Sequence, residues 1–262
     1  MNRDTEVEVR LPGGNVGGAV RIGDTVRRRP GQWTPAVHAL LEYLATRVPH
    51  VPRVLGLDEQ GREILSYLPG QVIDLDADES LSPRQITSLV SWTRVFHDAV
   101  VGFSHPGPWR YFPIDQPSLI GHNDIAPYNV CFDGDDLVGV FDWDLAGPST
   151  PLLELAFIAW NCVPLWNVPD PRQAAERLAI IAAAYGADGP DAQTILRAVP
   201  DRIQAMLDWI VIAARAGDEG MANLVAAGEP GRSNAPLARL INQIPEIERW
   251  LVRAGARAAG SS

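Results

Sequence analysis

The stretch GHNDIAPYNVCFDGDDLVGVFDWD, residues 121–144, decides how this chain is interpreted. Two short apolar runs within it, VCF and LVGVF, flank a DGDD turn, and this pattern predicts a β-hairpin. Asn129 comes just before the first strand and Asp142 just after the second. Because a hairpin brings its two open ends together, Asn129 and Asp142 are predicted to be neighbours, with Asp124 one loop away.

These side chains share a chemical use. Asn129 and Asp142 offer hard oxygen ligands, which suit Mg²⁺ bound largely through the phosphates of a nucleotide. Asp124 can accept or orient the proton of an acceptor hydroxyl. His122 is expected to hold the loop by hydrogen bonding to the backbone. Polar turn residues flanking a hairpin are the plain alternative, but four such residues at converging spacings favour a functional site.

The first seventy residues predict a small sheet with one helix. A glycine-rich turn, GGNVGG, follows an alternating run, and Gly23-Asp24 is typical of a two-residue hairpin. Thr34 is predicted to be the N-cap of the helix, with Pro35 at its first position. The predicted elements are, in order, strands over residues 5–11, 19–22 and 25–28, a helix from Thr34, and strands over residues 52–58 and 63–68.

The remaining chain is predicted to be mainly helical. Ser82 and Gln85 fit a capping box at the start of a helix over residues 83–100. Pro200 is taken to precede a later helix. Four tryptophans, at 160, 166, 209 and 250, could line an acceptor pocket, although core positions are expected for most of them. The predicted C-terminal helices cover residues 171–186, 201–216 and 235–254.

Composition excludes several classes of function. The 262 residues include 22 basic ones, all of them Arg, against 32 acidic ones, for a net charge of -10. Chemistry that needs a Lys nucleophile is therefore impossible, and a nucleic-acid partner is not expected. Two cysteines, no visible signal peptide and no membrane-spanning stretch predict a cytoplasmic protein without membrane partners. We expect a monomer or weak dimer, and the acidic balance fits a cationic partner.

At the hairpin the sequence resembles the aminoglycoside phosphotransferase and choline kinase group of protein-kinase-like phosphotransferases. HNDIAPYN resembles the family's H-x-D-x-x-x-x-N catalytic loop, and FDWD resembles its I-D-W-D/E segment. GPSTPLLELAFIAW resembles the following G-P-x-x-x-x-x-D-L-A stretch, with Glu154 in place of the Asp. The resemblance covers most of the chain and is weakest after about residue 165.

The resemblance implies a bilobal, protein-kinase-like α+β fold. Its small N-lobe, residues 1–69, would bind the nucleotide with five antiparallel strands and one helix. Its larger, mainly helical C-lobe, residues 70–262, would hold the catalytic β-hairpin and the acceptor.

The implied reaction is transfer of the γ-phosphate of ATP or GTP to a hydroxyl of a small molecule, such as an aminoglycoside, an amino alcohol or a sugar. Asp124 and His122 occupy the catalytic-loop positions, and Asn129 and Asp142 those of the Mg²⁺ ligands. The other implied contacts to the nucleotide are Gly13 and Gly14 over the phosphates, Arg27 in place of the phosphate-binding Lys, and the hinge residues Ser66 and Leu68.

The chain departs from the family pattern in three places. Asn123 replaces the Gly of H-G-D. Arg replaces Lys on the third strand, and although strand geometry leaves Arg27 and Arg28 both open, Arg27 is preferred because it follows the apolar Val26. The helix lacks an obvious acidic partner for this arginine, since His38 and Glu42 are its only candidates. These departures keep a nucleotide-binding module without catalysis as an alternative, and a metal-dependent hydrolase as a third hypothesis.

Overall fold

The computed structural model describes residues 7–11, 18–73, 80–167 and 169–259. An antiparallel five-stranded sheet forms from the first part of the chain, with strand order β1-β2-β3-β5-β4. One helix, α1 (Thr34–Leu44), packs beside it and buries an apolar stripe that includes Leu40 and Leu41. The strands are β1 (Val9–Arg10), β2 (Val20–Ile22), β3 (Thr25–Arg28), β4 (Val54–Leu57) and β5 (Glu63–Ser66). The predicted small sheet with one helix is confirmed.

The start of α1 differs from the prediction. Thr34 is the first helical residue, and Trp33 stands at the N-cap position without a side-chain capping bond. The Thr34 hydroxyl instead accepts a hydrogen bond from the backbone N–H of Gly31 at 2.9 Å. Its oxygen therefore closes the preceding turn rather than the first turn of the helix.

A central hairpin and two further strand pairings follow the sheet. Strands β8 (Val130–Asp133) and β9 (Asp136–Val140) form the predicted hairpin, with Val130 opposite Val140. Strand β6 (Gln71–Val72) adds to β8, and β7 (Leu119–Gly121) pairs with β10 (Gly147–Ser149). The β7–β10 pair was not predicted, because its strands have only three residues and no alternating pattern.

Helices build the rest of the molecule around one core. Ser82 and Gln85 form the predicted capping box at the start of α2. Trp160 is buried, and the other three tryptophans considered above are partly buried against the core. The helices are α2 (Pro83–Val100), α3 (Pro151–Cys162), α4 (Pro171–Tyr185), α5 (Ala192–Arg215), α6 (Glu219–Ala226) and α7 (Gly231–Ala259).

Two C-terminal helices are longer than predicted. Helix α5 begins at Ala192 and contains Pro200, which was predicted to lie outside it. Proline removes one backbone donor from a helix, but the turn before it buries Ile195, Leu196 and Val199 completely. This burial stabilises the continuous helix. Helix α7 likewise runs through two prolines.

The described residues contain no helix that is both long and apolar enough to cross a membrane.

Candidate active site

The two ends of the β8–β9 hairpin meet as the sequence predicts. The backbone N–H of Phe141 donates to the carbonyl of Asn129 at 3.0 Å, which places Asn129 beside Asp142. The Asn129 side-chain Nδ2 donates to Asp124 at two points, Oδ2 at 2.8 Å and the backbone carbonyl at 3.0 Å. Three polar residues from two loops therefore converge on one position.

The two carboxylate oxygens of Asp124 have different partners. Its Oδ1 accepts a hydrogen bond from the Tyr128 hydroxyl at 3.2 Å, while Oδ2 is held by Asn129. Burial and the nearby charge of Asp142 raise the pKa of Asp124 to about 8, against the hydrogen bonds from Asn129 and Tyr128. A carboxyl in this setting accepts a proton more readily than an ordinary aspartate.

His122 connects the loop before β8 to the hairpin through backbone contacts. Its Nε2 donates to the carbonyl of Phe141 at 3.1 Å, and its Nδ1 accepts the backbone N–H of Asp124 at 3.3 Å. The ring is fully buried, and burial lowers its pKa. A neutral imidazole with one donor and one acceptor satisfies both contacts. His122 is thus placed to orient the loop.

Asn123 explains why the chain can depart from H-G-D at this position. Its backbone is left-handed, with φ of 64°, a conformation that Gly and Asn adopt more readily than other residues. Its side-chain Nδ2 donates to the carbonyls of Leu145 at 3.1 Å and Gly147 at 3.3 Å. Asn therefore supplies the required backbone shape together with two contacts that Gly cannot make.

Glu154, on α3, holds the loop that carries His122 and Asn123. Its two carboxylate oxygens accept the backbone N–H groups of His122 at 2.9 Å and Asn123 at 2.8 Å. Burial opposes its ionisation, but the interactions with His97 and the His122 backbone prevail and lower the pKa of Glu154. The carboxylate at the family's Asp position therefore acts on the loop backbone.

Arg28 is the N-lobe cation that reaches the hairpin. Its Nη1 lies 3.1 Å from Asp142 Oδ1, and its Nη2 lies 2.6 Å from Asp144 Oδ1. On its other side, Nε lies 2.7 Å from Oε1 of Glu63, a buried residue on β5. Burial opposes the charged form, but these three carboxylates raise the pKa of Arg28. The guanidinium thus links the small sheet to the β8–β9 hairpin.

Arg27, the arginine preferred from the sequence, lies elsewhere. Arg27 contacts Thr25 and lies 3.8 Å from Asp58, away from the hairpin carboxylates. Alternate residues of a strand share a face, so Arg28 lies on the same face as Val26, which is paired with the buried Leu65. The arginine two positions after Val26, rather than the next residue, is therefore the one that faces the hairpin.

The acidic partner of this arginine also differs from expectation. Glu42 is exposed on α1, whereas Glu63 comes from the strand paired with β3 and stands opposite Arg28 in the register. His38, on α1, donates through Nε2 to Glu63 Oε2 at 2.7 Å. The helix therefore contributes a histidine that holds the strand glutamate, in place of an acid of its own.

The hinge residues lie at the exit of the small sheet. The backbone N–H of Ser66 donates to the carbonyl of Arg53, and that of Tyr67 to the carbonyl of Asp24, both at 2.9 Å. Both groups are thus already used by the sheet, and Leu68 is the next residue toward the C-terminal part. The predicted phosphate-loop residues Gly13 and Gly14 lie outside the described residues.

Arg110 adds a second cation beside the hairpin. Its guanidinium forms two hydrogen bonds with Asp218, at 2.8 and 2.7 Å, and lies 3.6 Å from Asp144. The same group lies over the ring of Trp33, 4.3 Å from its centroid. Arg110 thus joins the loop before β7, the start of α6 and the start of α1, and sequence reasoning had no pattern from which to find it.

The oxygen donors at this position fit Mg²⁺. The Nδ2 of Asn129 is engaged with Asp124, which leaves its amide oxygen as a donor, and the side chain of Asp142 is 42% exposed. Hard oxygen donors of this number suit a magnesium ion that takes its other ligands from phosphates and water. The hydrolase hypothesis would require a metal centre built from several such side chains. Within the described ranges, no group of three or more His, Cys, Asp or Glu side chains could hold a metal ion.

Comparisons with known proteins agree with the resemblance at the hairpin. Residues 108–193 match the "Phosphotransferase enzyme family". The chain is also 33% identical over 169 residues to the trifolitoxin immunity protein of Rhizobium leguminosarum bv. trifolii, an alignment that covers 61% of this chain and 64% of that protein. The match thus spans less than two thirds of the length of this relative.

Solved structures share the fold. A choline/ethanolamine kinase family protein from Mesorhizobium loti superposes with a TM-score of 0.57 at 17% identity, over 95% of this chain and 92% of that one. The GDP complex of wild-type aminoglycoside 2'-phosphotransferase-IIIa gives a TM-score of 0.58 at 16% identity, over 92% and 93% of the two chains. The predicted kinase-like fold and the predicted family resemblance are both confirmed.

Proposed function

We propose that this chain transfers the γ-phosphoryl group of a nucleoside triphosphate to a hydroxyl of a small molecule. The chain has the fold of choline kinase-like and aminoglycoside phosphotransferases, and its residues 108–193 match the phosphotransferase enzyme family. The convergence of Asp124, Asn129 and Asp142 at the open end of one hairpin carries this proposal. Phosphoryl transfer depends on positioning and charge stabilisation more than on covalent chemistry, and these residues supply both.

Asp124 acts as the base. The acceptor hydroxyl approaches Oδ1, the oxygen that the Tyr128 hydroxyl contacts at 3.2 Å, and transfers its proton there as the oxygen–phosphorus bond forms. The bond between the γ-phosphorus and the bridging oxygen breaks, and the nucleoside diphosphate leaves with its electron pair. Asn129 holds the other oxygen of Asp124 and so fixes the direction from which the acceptor approaches.

Asn129 and Asp142 would hold Mg²⁺, and Asp144 would support the site through its ion pairs with Arg28 and Arg110. Such an ion, when bound, offsets the negative charge of the phosphate oxygens. The cationic guanidinium of Arg28 takes the phosphate-binding part that the family assigns to Lys. Its forked donors suit two phosphate oxygens at once.

The nucleotide would lie between the small sheet and the hairpin, with its base against the backbone of Leu68. ATP and GTP are both included, because related aminoglycoside phosphotransferases have been crystallised with GDP and with ATP. The acceptor class is a hydroxylated antibiotic, amino alcohol or sugar. Structural neighbours have been solved with kanamycin and with streptomycin, and one relative is an immunity protein. These similarities favour an antibiotic as the acceptor over an amino alcohol or a sugar.

The test is transfer of labelled γ-phosphate from ATP and GTP to a panel of aminoglycosides, macrolides, amino alcohols and sugars. We expect at least one acceptor to be labelled by the wild type and none by Asp124→Asn. Asp136→Asn, an exposed change at the other end of the hairpin, is the matched control and should keep the wild-type rate. Full activity of Asp124→Asn would refute the role of this residue.

A nucleotide-binding module without turnover is the second candidate. The ion pair between Arg28 and Asp142 favours it, because a cation there competes with Mg²⁺ for the same carboxylate. This candidate predicts that ATP or GTP raises the melting temperature while no acceptor is labelled. Labelling of any acceptor by the wild type, but not by Asp124→Asn, would exclude it.

A further inference from the structure

Arg202, on α5, is a fully buried cation beside the catalytic loop. Its residue is only 1% exposed. Its Nη2 donates to the backbone carbonyl of Asn123 at 2.9 Å, and its guanidinium lies over the rings of Phe157 and Tyr111, 4.7 and 5.1 Å from their centroids. These partners are an uncharged carbonyl and two aromatic faces, so none of them neutralises the charge.

Such an arrangement is costly for folding. Burial of an unpaired charge is unfavourable, and the contacts found for this guanidinium among the described residues are the carbonyl and the two rings, with no carboxylate paired to it. Its Nε and Nη1 are buried and have no hydrogen-bond partner among the described groups. An apolar side chain of similar length would fill the same space at lower cost, so stability alone does not account for an arginine here.

The position of the charge suggests what does account for it. Asn123 directly precedes Asp124 and has a left-handed backbone whose N–H and carbonyl are both held, by Glu154 and Arg202 respectively. Its side-chain Nδ2 donates to the carbonyls of Leu145 and Gly147. The carbonyl of Asn123 belongs to the same peptide unit as the N–H of Asp124. Arg202 therefore sets the orientation of the peptide from which the Asp124 side chain extends.

Arg202 also reaches the loop from a side that no other described arginine contacts. Its Nη2 approaches from α5 and bonds the carbonyl of the residue just before Asp124. Arg28 and Arg110 face the same region from the small sheet and from the loop before β7, but they are engaged with Asp142, Asp144 and Asp218.

We infer that Arg202 is a positioning residue for phosphoryl transfer, which holds the Asn123–Asp124 peptide through its bond to the carbonyl of Asn123. This inference rests on the proposed function. It gives α5, which lies outside the three motif stretches quoted above, a part in positioning Asp124.

The experiment compares Arg202→Met, Arg202→Lys and the control Arg197→Met, which makes the same change on the same helix at a side chain that is 62% exposed. For Arg202→Met we expect kcat to fall by about tenfold or more, since small displacements of catalytic groups have effects of this size. The KM for the nucleotide should stay within about twofold, and stability against urea should equal or exceed that of the wild type because the unpaired charge is gone. Arg197→Met should keep the wild-type kcat.

Arg202→Lys provides the rescue test. Its ammonium keeps the charge and a donor for the single bond to Asn123, so its kcat should lie clearly above that of Arg202→Met. Equal kcat values for the two variants would overturn the inference. So would a kcat for Arg202→Met within about threefold of the control, or a loss of activity that only parallels a loss of folded protein.

A backbone readout separates this inference from the proposed function. Crystal structures of the wild type and Arg202→Met should show the carbonyl of Asn123 turned away in the variant only, and an unchanged carbonyl would overturn the positioning role. An absence of transfer by the wild type would instead refute the proposed function, whatever the variants do.

Discussion

Arg28 and Glu63 stand directly opposite each other on the paired strands β3 and β5, with Arg28 Nε 2.7 Å from Glu63 Oε1. Both charges are buried or nearly so, and the pair directs the remaining guanidinium nitrogens toward Asp142 and Asp144. The pairing of β3 with β5 thus orients the Arg28 side chain toward the hairpin. His38, on α1, hydrogen-bonds the other carboxylate oxygen of Glu63.

The first prediction separates the two neighbouring arginines. Arg28→Gln should raise the KM for the nucleotide about tenfold or more, because a charge-assisted contact to phosphate is lost. Arg27→Gln is the matched control and should change that KM by less than about threefold, since its partner is Asp58, outside the site. Steady-state kinetics at varied nucleotide concentration measure both. A larger effect of Arg27→Gln would restore the assignment preferred from the sequence.

The second prediction concerns Mg²⁺. Asp142→Asn should raise the Mg²⁺ concentration for half-maximal transfer by about tenfold or more, because a charged oxygen ligand becomes a neutral one. Removal of divalent cations with EDTA should stop transfer by the wild type, and added Mg²⁺ should restore it. Asp136→Asn should behave like the wild type. Transfer that continues in EDTA would contradict the proposed use of Asn129 and Asp142.

The third prediction is a pH-dependent contribution of Glu154 to stability. Its pKa is lowered below 4.5 in the folded protein, so the carboxylate stabilises the fold above that pH and loses this contribution as the pH falls through the folded-state pKa. Glu154→Gln should lower the free energy of unfolding by about 3 kcal/mol near pH 7, because glutamine offers one acceptor oxygen to two buried N–H groups where glutamate offers two.

Urea unfolding of the wild type and Glu154→Gln at pH values from about 3 to about 8 measures this difference. The difference in the free energy of unfolding between the two proteins should become smaller below about pH 4.5. Glu176→Gln, at an exposed position on α4, should show no comparable gap. A gap that is constant with pH would show that the charge of Glu154 is not the stabilising feature.

The fourth prediction concerns Tyr128, which contacts the base through its hydroxyl and has a 41% exposed ring. Tyr128→Ala should raise the KM for the acceptor about tenfold, because an aromatic surface beside the base is lost, while the KM for the nucleotide stays unchanged. Tyr128→Phe keeps the ring and should remain close to the wild type in acceptor KM. Equal acceptor KM values for all three proteins would mean that the ring does not face the acceptor.

The sequence was sufficient for the parts of the fold that depend on local patterns. The hairpin carrying Asn129 and Asp142 follows from two apolar runs around a turn, and the capping box of Ser82 and Gln85 follows from side-chain chemistry within one turn of helix. Local patterns failed at Pro200, because the tertiary burial of Ile195 and Leu196 stabilises a helix that the local signal breaks.

The charges of the site were decided by the tertiary structure. Alternation along β3 could have selected Arg28 over Arg27, but only the pairing of β3 with β5 supplied Glu63 as its partner. Arg202 lies 79 residues from the carbonyl it holds and belongs to no motif. The sequence by itself determined which residues could carry phosphoryl-transfer chemistry, because their spacing is local. Long-range packing decided which arginines contact these residues. Contacts between distant segments produce no periodic pattern in the sequence, so they could not be predicted from it.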